Sequence, residues 1–161
     1  MFHRLRSNPF IDTVPPPVID GRTFTGTWTL VGSGRLGIPK PSSDIDYMLL
    51  IDDVDDLSTF QEWKEAPGVF WRYISHVNGR PATVYAVPRY VYDRVDASYR
   101  QAIARFTEDE LRRMKDTIPY DEFYKTIGVM YTVDAVKRNP SLRLPRINPG
   151  AWQPPFKTRT P

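Results

Sequence analysis

The chain contains no cysteine, which excludes disulfides and thiolate metal sites and agrees with a reducing cytoplasm, where this protein is expected. It has only two histidines, His3 and His76, and their separation assembles neither a histidine metal cluster nor a catalytic triad. His76, just ahead of a turn, reads as a surface or packing histidine. No apolar run approaches the roughly 20 residues that cross a bilayer, so no membrane partner is expected. The N-terminal MFHRLRSNPF is basic but has no apolar stretch behind it, and it does not read as a secretory signal. Internal repeats and single-residue tracts are also missing.

What is present fits one domain: 161 residues, 40% hydrophobic and 25% charged. The net charge of +3 is unevenly spread. From Lys137 onward the chain carries six basic residues and no acid, leaving 16 basic against 19 acidic residues before it. A weakly acidic body thus carries a basic tail, suited to a nucleic-acid or acidic protein partner or serving only as a solubilising extension. Proline marks the same division, crowding residues 9–17 and 139–161. The expected organisation is an N-terminal arm over 1–20, a compact domain over 21–138 and a basic, proline-rich C-terminal arm over 139–161. Leu142, Leu144, Ile147, Trp152 and Phe156 in that last arm are expected to dock on the body or on a partner.

Between the arms, Phe24 to Val31 and Asp46 to Ile51 read as strands. Asp55 to Glu65 carries Leu57, Phe60 and Trp63 at spacings of three, which predicts a short amphipathic helix inserted in the sheet. Val69 to Val77 and Ala82 to Val87 flank Asn78-Gly79, a hairpin signal. Three helices follow: Tyr92 to Phe106, one opened by a Thr107/Glu110 capping box and running to Thr117, and Asp121 to Lys137. The class is α+β, a mixed sheet followed by a helical half.

The chemically suggestive stretch is WTLVGSGRLGIPKPSSDIDYMLLI over 28–51. Gly32-Ser33 closes an apolar run, and Asp44-Ile45-Asp46 opens the next. Carboxylates two positions apart on a strand project from one face and can share a divalent metal, while a Gly-Ser turn can hold phosphate. The same residues also read as an ordinary loop and a turn, with Asp46 solvated at a strand edge. Asp52, Asp53, Asp55 and Asp56 just downstream are accounted for by capping and helix-dipole effects, and Arg112, Arg113 and Lys115 by a solvated helix face.

The string Gly32-Ser33-Gly34-Arg35-Leu36-Gly37, then Ser43-Asp44-Ile45-Asp46-Tyr47-Met48-Leu49, resembles the signature of the nucleotidyltransferase superfamily related to DNA polymerase beta, in particular its minimal prokaryotic and phage members. That resemblance, supported by motif over residues 24–88, implies a nucleotidyltransferase-like core. It implies that Asp44 and Asp46 are catalytic and bind Mg²⁺ or Mn²⁺, and that Gly32 and Ser33 meet a nucleoside triphosphate such as ATP. Arg35 or Lys40 would add positive charge near the phosphates. The chain departs from the family at a third carboxylate on a later strand, where the corresponding residue is Thr83. Asp93 and Asp96 lie beyond Pro88 and read as helix-start residues. Two classes remain open. One is an enzyme transferring a nucleoside monophosphate to a hydroxyl acceptor, which the basic C-terminal arm would contact if it is a protein or nucleic acid. The other is a catalytically impaired binding or inhibitory protein on the same fold, antitoxin-like or a phage-encoded regulator in the host cytoplasm.

Overall fold

The computed structural model describes residues 13–138, so most of the expected N-terminal arm and the whole 139–161 arm lie outside the described residues. Five strands form one mixed sheet in the order β1-β2-β5-β4-β3. They are β1 (Trp28–Val31), β2 (Ile45–Leu50), β3 (Gln61–Glu62), β4 (Trp71–Val77) and β5 (Arg80–Val87). β2 and β5 run parallel, and every other neighbouring pair is antiparallel. A short helix α1 (Gly32–Leu36) links β1 towards β2, and four helices follow the sheet: α2 (Arg89–Arg105), α3 (Glu108–Thr117), α4 (Tyr120–Thr126) and α5 (Val129–Arg138). The class is α+β. No helix among the described residues is long and apolar enough to cross a membrane.

Alternation along β2 and β5 divides the core between the two faces of the sheet. Met48, Leu50 and Val87 point towards the helices, where they join Val91, Val95, Tyr99, Leu111 and Phe123. Tyr47, Leu49, Val84 and Ala86 point the other way and are covered by Ile19, Phe24, Trp28 and Phe60. Residues 13–20 are therefore part of this second layer: Val14 bridges Trp28, and Ile19 is fully buried.

Local signals were strongest where a specific backbone conformation is required. Asn78 at φ 51° and Gly79 at φ 79° make the two-residue connection between β4 and β5, matching the twist of the strands. Thr107 accepts from the Glu110 amide at 3.1 Å while Glu110 accepts from the Thr107 amide at 2.8 Å, completing the capping box of α3. Replacing Thr107 with alanine removes one of these bonds and is expected to cost about 1 kcal/mol in a denaturant titration.

Three expectations are corrected. The helix over Asp55 to Glu65 does not form. Asp56 instead accepts from the backbone and hydroxyl of Ser58, starting a turn, and Gln61 and Glu62 pair with β4 as an edge strand. The apolar residues at spacings of three serve different neighbours: Phe60 meets Phe24 and Tyr73, whereas Trp63 meets Phe70 and Tyr85. The helix over Asp121 to Lys137 is broken into α4 and α5 by Gly128, whose φ of 89° is the left-handed conformation that ends a helix. The strand expected over Phe24 to Val31 is confined to its last four residues, and the Gly32-Ser33 turn is the first turn of α1.

Candidate functional site

β2 starts at Ile45, which sets Asp46 on the helix-facing side of the sheet with Asp44 just before the strand on the same side. In the parallel β2/β5 ladder Asp46 lies directly beside Thr83, and Thr83 lies beside Ile74 of β4. Thr83 is thus the neighbour of the carboxylate pair, and it is 9% exposed. A hydroxyl there can donate or accept a hydrogen bond but is no general base at neutral pH.

The Gly-Ser pair is held against the same carboxylate. Gly32 has φ 67°, and a Cβ built on it would fall 2.6 Å from Asp46 Oδ2. Glycine is required here twice over, for the left-handed backbone and for the close approach. The Gly32 amide donates to the hydroxyl of Tyr99 at 2.6 Å, so this amide is already engaged and leaves phosphate binding to its neighbours. Ser33 sits next to it in α1, 6% exposed, its carbonyl accepting from the Ile38 amide at 3.0 Å.

Asp46 is half-buried and its carboxyl is pushed up to about 6, first by loss of water and then by the charge of Asp44, with Lys115 opposing. Tyr85, two positions beyond Thr83 on the same face, is pushed up to about 12, mainly by burial and further by Asp46. Tyr99 and Tyr124 are raised for the same first reason, and Asp46 adds to both. The carboxylate pair is therefore surrounded by neutral phenols. Tyr120, largely exposed, stands 4.8 Å from the ring of Tyr124 at the open side.

Arg35 is not part of this opening. Its guanidinium donates to Thr29 Oγ1 at 2.9 Å and to Asp96 Oδ1 at 2.7 Å, and Asp96 also pairs with Arg100 at 2.6 Å. Buried and neutralised, Arg35 ties α1 to β1 and α2, which is a structural task. Asp96 is the other half of that tie. Lys40 is exposed on the loop after α1 and pairs with Asp116 of α3 at 3.3 Å. Asp53 accepts from Thr27 and Asp52 pairs with Arg89, so both serve the far end of β2. His76 is exposed on β4.

Two carboxylates, one half-buried and raised, can hold a hard divalent cation, which would relieve the repulsion between them. Among the described residues no group of three or more histidine, cysteine or acidic side chains gathers here or elsewhere. The residue whose placement the local pattern concealed is Lys115. Its sequence context, Arg112-Arg113-Met114-Lys115, looks like a solvated face, yet it is half-buried and acts electrostatically on Asp46. Comparison of the chain with protein-family models, with curated proteins and with solved structures gives no match in any of the three.

Proposed function

We propose that this chain is a nucleotidyltransferase-like protein that binds a nucleoside triphosphate with Mg²⁺, or Mn²⁺ in its place, at Asp44 and Asp46, and transfers a nucleoside monophosphate to a hydroxyl acceptor. The observation that carries the reading is the half-buried Asp46 carboxylate, raised by burial and further by Asp44, and pressed against Gly32. A site with that much uncompensated negative charge is costly to maintain unless a cation is part of its working state. The bound metal would supply charge neutralisation at the phosphates and a template for in-line displacement. This chain's own residues would do the rest. Asp44 and Asp46 hold the cation, Gly32 allows close approach and Ser33 donates to phosphate. Overall, the acceptor oxygen bonds to the α-phosphorus, the bond to pyrophosphate breaks, and the acceptor proton passes to solvent. The acceptor, whether a small molecule, a protein or a nucleic acid, would be met beside the exposed Asp44 or by the 139–161 arm, in the cytoplasm of the cell or of a phage host.

Thr83 favours a second reading. With a threonine beside Asp46 and no third carboxylate in reach among the described residues, the site is equipped for binding more fully than for activating an acceptor. On that reading the protein holds a metal nucleotide and acts by binding or inhibiting a partner. Calorimetric titration with each nucleoside triphosphate and Mg²⁺ tests the shared part: wild type is expected to bind, and the Asp44→Ala/Asp46→Ala double variant to lose binding. Equal binding by both, or none by wild type, removes the metal-site reading. Pyrophosphate release in the presence of an acceptor pool separates the enzyme from the binding module.

A further inference from the structure

β4 is longer than the strand beside it. Of its seven residues, Trp71–Val77, β3 pairs only with Trp71 and Arg72, and no described strand lies beyond. The tight turn at Asn78-Gly79 decides which backbone groups this leaves open. Val77 lies across from Arg80 in a two-residue hairpin, so the odd-numbered residues of β4 bond to β5 and the even-numbered ones face outwards. Arg72 is paired with Gln61 on that outer side. Ile74 and His76 therefore present amides and carbonyls that no described strand meets.

Such an edge is a template for another strand, and proteins blunt theirs with lysine, proline or a bulge. Tyr73 to Val77 contains neither lysine nor proline, and its register with β5 runs without a bulge. Ile74 adds an apolar side chain, 64% exposed, on the helix-facing side of the sheet. On the other side Asp20 stands exposed, its carboxylate accepting from the hydroxyls of Tyr73 and Ser75. The edge thus suits a strand with apolar residues on one face and a cation on the other.

The described chain ends close to where that edge begins. Lys137, in the last turn of α5, pairs with Glu65 at 3.5 Å, and its ammonium lies 4.9 Å from the ring of Trp63. The Arg72 guanidinium lies 5.1 Å from the same ring. Ile74 follows two residues along β4, roughly 7 Å further, which two or three extended residues span. The sequence continues as Asn139-Pro140, then Ser141-Leu142-Arg143-Leu144, then Pro145. The four residues between the prolines keep their amide donors, and in an extended chain they set both leucines on one face and arginine on the other. They match in number the open stretch, Ile74 to Val77.

We propose that residues 141–144 of the C-terminal arm add to the open edge of β4 as a sixth strand within the same chain, Leu142 and Leu144 covering Ile74 and Arg143 facing Asp20. Main-chain bonds to Ile74 and His76 hold the arm, and the alternating side chains set its register. Asp46, Thr83 and Ile74 form one row across the sheet, so the added strand extends that row on the side away from β1. The rest of the basic arm is thereby anchored to the sheet that carries Asp46.

The test compares amide hydrogen exchange, residue by residue, in full-length wild type and full-length Leu142→Asp/Leu144→Asp. Both substitutions lie outside the described residues, and Ser75, whose amide faces β5, is the internal control. The Ile74 and His76 amides are expected to exchange about tenfold faster or more in the variant, with Ser75 unchanged. Because the chain has no cysteine, Ile74→Cys/Leu142→Cys and Ile74→Cys/Leu144→Cys each offer a single disulfide. Mild oxidation is expected to close at least one of them within a chain. Equal exchange of Ile74 and His76 in wild type and variant overturns the proposal, whether the edge is open in both or covered in both. Disulfides formed only between chains, or in neither pair, also overturn it, and a dimer in sedimentation would then identify a second copy as the occupant.

Discussion

Asp46→Asn is expected to yield a protein that is more stable than wild type without metal at pH 7.5 and that has lost its divalent cation affinity by two orders of magnitude or more. The two effects have one cause. Asp46 is raised from 3.8 to about 6 by burial and by Asp44, so in the metal-free fold its ionised form is disfavoured. An acid whose folded value lies above its unfolded value adds stability that is fully present below about pH 4. That stability is lost as pH rises through about 6, because over this window the unfolded chain releases its proton first. After discounting for the solvent that still reaches the group, the loss is on the order of 1–2 kcal/mol. Asparagine carries no charge to penalise, so the stability gap between variant and wild type should open between pH 4 and 6.5 and then stay level. The measurement is denaturant unfolding in chelator across that range. Metal binding runs in the opposite sense: Mn²⁺ needs the carboxylate ionised, so wild-type affinity should fall as pH drops below about 6. If Asp46 were a structural carboxylate satisfied by the fold, Asp46→Asn would destabilise at every pH above 4.

Gly32→Ala is the second large effect. A left-handed φ of 67° costs an L-residue about 1–2 kcal/mol, and the added methyl would meet Asp46 Oδ2 at 2.6 Å. Relief requires either Asp46 to swing away from Asp44 or α1 to shift and stretch the Gly32 amide bond to Tyr99. Both damage the site. The expected outcome is a loss of roughly 2–4 kcal/mol of stability together with at least a tenfold loss of Mn²⁺ affinity. Gly34→Ala is the control, since a Cβ there meets nothing within 4 Å. It should bind Mn²⁺ as wild type does. A Gly32→Ala protein that is destabilised yet binds metal normally would show that the close approach shapes the fold without shaping the site.

The parts of this structure that sequence conveys are those that depend on neighbours in the chain. Asn78-Gly79 and Thr107/Glu110 act through positive φ and through bonds spanning three residues, and the spacing of Asp44 and Asp46 follows from strand pleating. Where distant contacts decide, the local pattern misleads. Leu57, Phe60 and Trp63 have helical spacing, but β4 offers an unpaired edge to Gln61 and Glu62, and two separate aromatic clusters take Phe60 and Trp63. A run of apolar residues hid the break at Gly128 because one glycine in a helical pattern is common enough to be tolerated.

The site divides in the same way. The motif that carries Gly32, Ser33, Asp44 and Asp46 is contiguous in sequence, and the register sets Asp46 beside Thr83. Arg35 and Lys115 exchange the expectations attached to them. Arg35 stands in the motif and looks free for phosphate, yet a carboxylate sixty-one residues away takes it into the interior. Lys115 stands in a charged helix that looks solvated, yet it is half-buried where α3 docks on the loop after α1, and its charge acts on Asp46. Neither fact is visible without the tertiary contact.

The central claim is that Asp44 and Asp46 together hold a divalent cation at the Gly32-Ser33 turn. The most direct measurement is the anomalous scattering of Mn²⁺ in crystals grown with the metal and a non-hydrolysable nucleoside triphosphate. One or more peaks within coordination distance of both carboxylates, bridging them to phosphate oxygens, is the predicted result. A structure of the fully loaded crystal with nucleotide bound elsewhere, or with Asp44 and Asp46 touching no metal, would contradict it.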